Sequence, residues 1–377
     1  MISTFIFYIA IFGLVLFLSK KGELFNDNRK IYWAYVVLFL LSALRFDIGN
    51  DYATYWGDAE QLSNVFKNTK SLIEVYDWRD GRFEWGFCAL VSLFSWSSYT
   101  FFWCNLVYSA ILICTLYYVF KKYNCHYYGI LILIVCEFMF MSWDWIRQSA
   151  ALSLVLLALI FAHERKAIKF VICIALAYLF HQSSIFLLVA YPLSYVKFNK
   201  KILLTTLGLS LIVFWTGILD SAIANVDIYF ALVGGYEKYD SYNLALEQHL
   251  TFFTRIRTTL IVAIGYLVIL KIDDEYSFYK NIIAIGLIIF MVGGNSLIFN
   301  RIAWYFMIIM FPCFGIAMKD TINKLNIRKL LIYAVFVQAF VFSYDILTNT
   351  NARGCVPYES VFSEEFETLQ FRIRDYK

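Results

Sequence analysis

The sequence predicts an all-α polytopic membrane protein with about twelve transmembrane helices, and three observations predict it. Of 377 residues, 61% are hydrophobic and only 16% are charged, which leaves too little polar surface for a water-soluble globule. Only three prolines occur in the whole chain, so most of the apolar segments are uninterrupted. Those segments recur from end to end in runs of roughly 14 to 20 residues, and a helix satisfies its own backbone in lipid.

Taken in order, the runs fall near 2–18, 31–45, 99–120, 128–143, 147–162, 167–181, 183–197, 202–219, 252–271, 281–299, 302–318 and 329–347. No positive charge precedes the first, so it reads as a span and not as a cleavable leader. The second ends in Arg45, the third is followed by Lys121, and the fifth opens on Arg147 and is followed by His163. The stretch 85–97, "WGFCALVSLFSWS", has 13 residues and suits a re-entrant or half-helix better than a crossing. With no repeat, low-complexity tract or soluble domain, residues 1–377 read as one integral membrane domain. Its external parts are loops 45–84 and 220–251 and the tail 348–377. The 8 cysteines lack paired or metal-ligand spacing, and neither a disulfide framework nor a metal site is expected.

Lysine sets the orientation. The connections containing "SKKGELFNDNRK", "KKYNCH", "HERKAIK", "KFNKK", "KIDDEYSFYK" and "KDTINKLNIRK" hold 15 Lys and 3 Arg, 18 of the 32 basic residues. By the positive-inside rule these connections are cytoplasmic, and both termini are external. The remaining 14 comprise 4 lysines and 10 arginines: Arg45, Arg79, Arg82, Arg147, Arg255, Arg257, Arg301, Arg353, Arg372 and Arg374. Nothing in the rule calls for Arg45, Arg147, Arg255, Arg257 and Arg301 at external helix ends, where desolvating them is costly. A single such arginine snorkels to headgroups or pairs locally as often as not. Five on one face point to an anionic ligand, because a guanidinium stays charged and its planar fork grips phosphate oxygens.

The polar residues of the spans gather at the same level. "SWDWIRQSAA" brings Asp144, Arg147 and Gln148 to an external helix start, and "LFHQSSIF" brings His181, Gln182 and Ser183 to a tight external turn. Glu84, in "GRFEWGF", stands where the loop re-enters the membrane and requires a partner such as Arg45 or Arg82, or a use. The segment "ALRFDIGNDYATYW" carries Asp47, Asp51, Tyr52, Tyr55 and Trp56; its aromatics fit an interfacial belt and also the face of a sugar ring.

In series, "RFDIGNDYATYW", "FEWGF", "WIRQSAALSL", "FHQSSIF", "NRIAWYF" and the late "VPYESVF" resemble the EpsG/Wzy-like group of bacterial polysaccharide polymerases over nearly the whole chain. The resemblance implies an architecture similar to C-type glycosyltransferases. It also implies polymerisation of undecaprenyl-diphosphate-linked oligosaccharide repeat units at the external face of the bacterial cytoplasmic membrane, with no cofactor. The implied partners are the lipid-linked donor and acceptor, membrane lipid and a chain-length regulator protein, and no nucleic acid. Two lipid-linked diphosphates need cationic ligands, for which Arg45, Arg147, Arg255, Arg257 and Arg301 are the candidates. Asp51 is the first choice as proton acceptor, followed by His181 and Glu84. Asp47, Tyr52, Tyr55, Gln148 and Ser183 are candidate sugar contacts. Other C-type or O-antigen-ligase-like glycosyltransferases share this charge logic, whereas a lipid-linked oligosaccharide flippase would carry charge through to both sides. A membrane acyltransferase with His181 as base would draw its donor from the cytoplasm.

Overall fold

The computed structural model describes residues 2–78, 82–223, 225, 252–294, 296–319, 325–348, 354–369 and 371. Most of loop 220–251, together with Arg79, Arg353, Arg372 and Arg374, lies outside the described residues. Among those described, the elements are helical and strands are absent; one isolated antiparallel bridge joins Arg45 to Ser360. Among the described residues, six helices are long and apolar enough to cross a membrane: Ile2–Leu24, Thr100–Lys122, Ile146–His163, Asp274–Val292, Ile298–Lys319 and Asn326–Tyr344. A pair bent by 63°, His126–Val135 and Phe138–Asp144, makes up to seven. The chain is a multi-pass membrane protein.

The other expected crossings take shorter or more polar forms. Run 31–45 is helix Asn28–Ala43, whose 16 residues rise only about 24 Å against a hydrocarbon core of about 30 Å. Run 128–143 breaks because Glu137 adopts a left-handed conformation, φ 60°. Run 183–197 winds mainly as a 3₁₀ helix, Gln182–Val189, and run 252–271 carries Arg255, Arg257 and Lys271. Stretch 85–97 forms a nine-residue helix, Trp85–Leu93, followed by a turn.

The chain groups into two compact units. The first comprises Met1–Leu157, Ile172–Ile185 and Ala339–Lys377. Here α1 (Ile2–Leu24) packs on α2 (Asn28–Ala43), and α2 on α6 (Thr100–Lys122). Asp27 caps α2 by accepting from the amides of Arg29 and Lys30, and Tyr35 meets His126 at 2.8 Å, which ties the two lysine-bearing turns of this unit to one end. At the other end, α3 (Tyr52–Thr69), α4 (Leu72–Asp77) and α5 (Trp85–Leu93) pack on one another, and α3 and α5 pack on α6. Tyr52, Tyr55, Trp56, Ala59, Leu62 and Ser63 form the buried stripe of α3, the spacing of a one-faced helix. Segment 45–84, expected as a loop, is therefore largely a folded helical cap.

The tail closes that end. Phe46 N–H donates to Glu359 O (3.0 Å), Val361 N–H to Leu44 O (3.0 Å) and Gly49 N–H to Gly354 O (3.1 Å). The Tyr8 hydroxyl donates to Cys355 O (2.7 Å), and the Tyr358 hydroxyl to Leu41 O (2.9 Å).

The second unit comprises Ala158–Val171 and Phe186–Gln338. Helix Ser277–Val292 is its centre and packs against Lys200–Thr216, Phe252–Lys271 and Leu297–Met307. Gly286 permits the closest approach, since a Cβ there would stand 3.0 Å from the amide nitrogen of Met307.

Candidate active site

The first unit brings Glu84, Arg147 and His181 together from three separate parts of the sequence. Glu84 is the N-cap of α5, yet its side chain makes no cap bond. Both of its oxygens are used elsewhere: Oε2 accepts from Arg147 Nη1, and Oε1 lies 2.9 Å from His181 Nδ1. Arg147 is the second residue of α9 (Ile146–His163), and His181 directly follows α10 (Ala167–Phe180). The carboxylate thus sits at the N-terminus of α5 and beside that of α9, where helix dipoles favour an anion. Glu84, expected to pair with Arg45 or Arg82, pairs instead with Arg147; Arg82 stands 4.0 Å from Asp58.

Arg147 is held on two further sides. Its Nε donates to the Tyr55 hydroxyl at 2.9 Å, and its guanidinium lies 5.4 Å and 5.2 Å from the ring centroids of Tyr55 and Phe83. Arg147 and His181 side chains are 20% and 17% exposed while Glu84 is 9% exposed, so the two nitrogenous groups front the solvent over a buried carboxylate. Burial alone would raise the Glu84 carboxyl, but the charge of Arg147 and the bond with His181 bring it down to about 2. Glu84 is therefore an anion at neutral pH, with both oxygens engaged by Arg147 and His181. Burial raises the Tyr55 phenol above its ordinary value against the pull of Arg147, which keeps it a neutral acceptor for Nε–H.

The 45–52 loop is locked to the same region. Asn50 N–H donates to Asp144 Oδ1 at 2.8 Å, three residues before Arg147. Gly49 allows this, with φ +101° and space such that a Cβ would meet Trp143 O at 2.6 Å. Asp51 is half-buried at the N-cap of α3, one turn before Tyr55.

Arg45 takes a different place from the one expected. Its side chain is 2% exposed, Nη1 donates to Ser42 O at the end of α2, and its guanidinium lies 6.0 Å from the Trp143 ring centroid. There it offsets the partial negative charge of the α2 C-terminus. Asn105, a buried polar residue inside an apolar run, joins it by donating to the carbonyls of Ser42 and Ala43 at 3.3 and 3.0 Å. Sequence reasoning passed over Asn105, although its polarity inside the run was the available signal. Asp47 (0%), Tyr52 (0%) and Gln148 (3%) are buried, and Tyr55 at 9% presents no open ring face, so the aromatics build the wall and offer no free platform for a sugar. Ser183 is half-buried, two residues after His181.

Arg255, Arg257 and Arg301 belong to the second unit. Arg255 donates to Phe214 O and stands 3.6 Å from Asp220, so its fork is largely engaged by its own unit. Arg301 lies on helix Leu297–Met307, which Ser296 caps by accepting from Phe299 N–H at 3.1 Å. Among the described residues, no group of three His, Cys, Asp or Glu side chains is placed to hold a metal ion.

No curated protein and no solved structure is matched by the chain. Residues 28–360 match the EpsG family, a span that includes the whole of the Glu84–Arg147–His181 cluster and the loop locked beside it. The chain belongs to the EpsG family.

Proposed function

We propose that this protein is a polysaccharide polymerase that joins undecaprenyl-diphosphate-linked oligosaccharide repeat units at the external face of the bacterial cytoplasmic membrane. Family membership points to polysaccharide polymerisation, and the single observation that carries the chemistry is the Glu84–Arg147–His181 cluster. Its parts match what glycosyl transfer from a lipid diphosphate requires. An acceptor hydroxyl attacks the anomeric carbon of the donor, forming the new glycosidic C–O bond as the anomeric bond to the diphosphate oxygen breaks. The hydroxyl proton goes to His181, and undecaprenyl diphosphate departs as the anion.

Ionised Glu84 accepts Nδ1–H of His181, which places the imidazole lone pair on Nε2 and holds the ring in one orientation. A base oriented by a buried carboxylate is a recurring arrangement in nucleophile activation. Arg147, clamped by Tyr55 and Glu84, offers a preorganised cation to the charge that develops on the leaving diphosphate. Arg45 is assigned a structural task at the end of α2, and Asp51 is the competing base. External placement of the site rests on the lysine distribution, which assigns the turns after α1 and α6 to the cytoplasm.

Purified protein supplied with a lipid-linked repeat unit should form a ladder of products, and Arg147→Ala should abolish the ladder. Transfer of a single unit with no further extension would favour a ligase-like enzyme.

A further inference from the structure

A recess of about 180 Å³ opens along α3, an order of magnitude above the ~10–15 Å³ that admits one water. Trp56, a buried residue, backs its wall and is held by ring contacts to Phe46 and Phe101 at 6.0 and 6.1 Å. Phe101 is a shared wall, since it lines the recess and stacks on Tyr55 at 5.9 Å, the residue that holds Arg147.

Glu60, Asn64 and Lys67 line the recess at spacings of four and three residues, so they stand on one face of α3 over a rise of about 10 Å. Ser98 joins them from the turn before α6. All four are exposed, and among the described residues none of their side chains makes a hydrogen bond or ion pair with the protein. The buried hydroxyls alongside are engaged. Ser63 donates to Ser95 O at 3.3 Å, and Ser97 Oγ accepts from Trp103 Nε1 at 3.1 Å and Tyr99 N at 3.0 Å. The wall is therefore fixed while its outer polar groups stay open.

We propose that this recess is a saccharide subsite, binding a sugar of the substrate chain that does not itself react; this rests on the polymerase reading above. A carboxylate, a carboxamide, an ammonium and a hydroxyl together supply both donors and acceptors, which is what a ring of hydroxyl groups requires. The charges of Glu60 and Lys67 cancel, so the recess has no bias toward a diphosphate, unlike the arginine site. Its volume is below the ~300–1,000 Å³ of drug-sized pockets and suits one ring of a longer chain. A sugar held there would keep the growing chain attached between additions.

The test uses the full-length protein and the free oligosaccharide released from its lipid-linked repeat unit, which carries neither lipid nor diphosphate. Asn64→Ala should raise its Kd about 3-fold or more, as expected for one lost hydrogen bond at an exposed contact. Glu60→Gln should weaken binding in the same direction, and inorganic diphosphate should not compete. In the polymerisation assay Asn64→Ala should shorten the product ladder. Saccharide affinity unchanged in both variants, or displacement by inorganic diphosphate or by anionic lipid vesicles, overturns the subsite. Binding that Asn64→Ala abolishes supports it even in a preparation that makes no polymer, so failure of the polymerase reading is seen separately.

Discussion

His181 Nδ1 lies 2.9 Å from Glu84 Oε1, and the other oxygen of the same carboxylate holds Arg147. One buried anion thus positions both a candidate base and a candidate diphosphate ligand, although the three residues are 63 and 97 positions apart along the chain. Several outcomes depend on that sharing.

Glu84→Gln keeps the shape and removes the charge. It weakens two charge-assisted bonds at once and leaves the Arg147 cation half-compensated, at a cost of about 1–3 kcal/mol. Thermal unfolding in detergent should show that loss, and polymer formation should fall ~10²-fold or more because base and cation are both misplaced.

Acid should act through the same residue. The folded Glu84 value of about 2 lies below the ordinary glutamate value of 4.5, so its contribution is fully present above pH 4.5 and is lost as pH falls toward 2. Melting temperature should drop between pH 5 and pH 3, and the Glu84→Gln variant should lack that component of the slope. Equal slopes in the two proteins would remove Glu84 from the acid response.

Arg147→Lys retains one positive charge but cannot reproduce a fork that reaches Tyr55 and Glu84 together. Turnover should fall ~10²- to 10³-fold, the cost typical of losing one preorganised donor to a developing anion. An equal loss in kcat and kcat/KM is expected, since the interaction strengthens as the diphosphate leaves.

Gly49→Ala tests the lock between the 45–52 loop and α8 (Phe138–Asp144). An added Cβ meets Trp143 O at 2.6 Å in a backbone conformation, φ +101°, that side chains rarely adopt. A destabilisation of about 1–3 kcal/mol is expected, visible as a lower melting temperature. Gly13→Ala, where a Cβ meets nothing within 4 Å, is the matched control.

Much of this site was legible in the sequence because charge inside an apolar chain is expensive wherever it occurs. Glu84, Arg147 and His181 each stood out on that ground, and Gly49 and Tyr55 stood in the same motif. What pairs with what was not legible, since Glu84 could be matched with Arg45 or Arg82 as readily as with Arg147 until three segments were brought together. The cap over the site was overlooked for a different reason. Its polar surface reads as loop, yet Tyr52, Tyr55, Trp56, Ala59 and Leu62 carry a helical period that burial makes plain. The form each apolar run takes was also not legible, because hydropathy does not register the left-handed turn at Glu137 or the 3₁₀ winding after His181.

Which residue takes the proton is tested most directly by comparing His181→Gln with Asp51→Asn in a polymerisation assay on purified protein and a lipid-linked repeat unit. His181→Gln should still bind the repeat unit and form no ladder, while Asp51→Asn should extend chains at a rate near wild type. A normal ladder from His181→Gln, with extension lost only in Asp51→Asn, would contradict the assignment and place the base on α3.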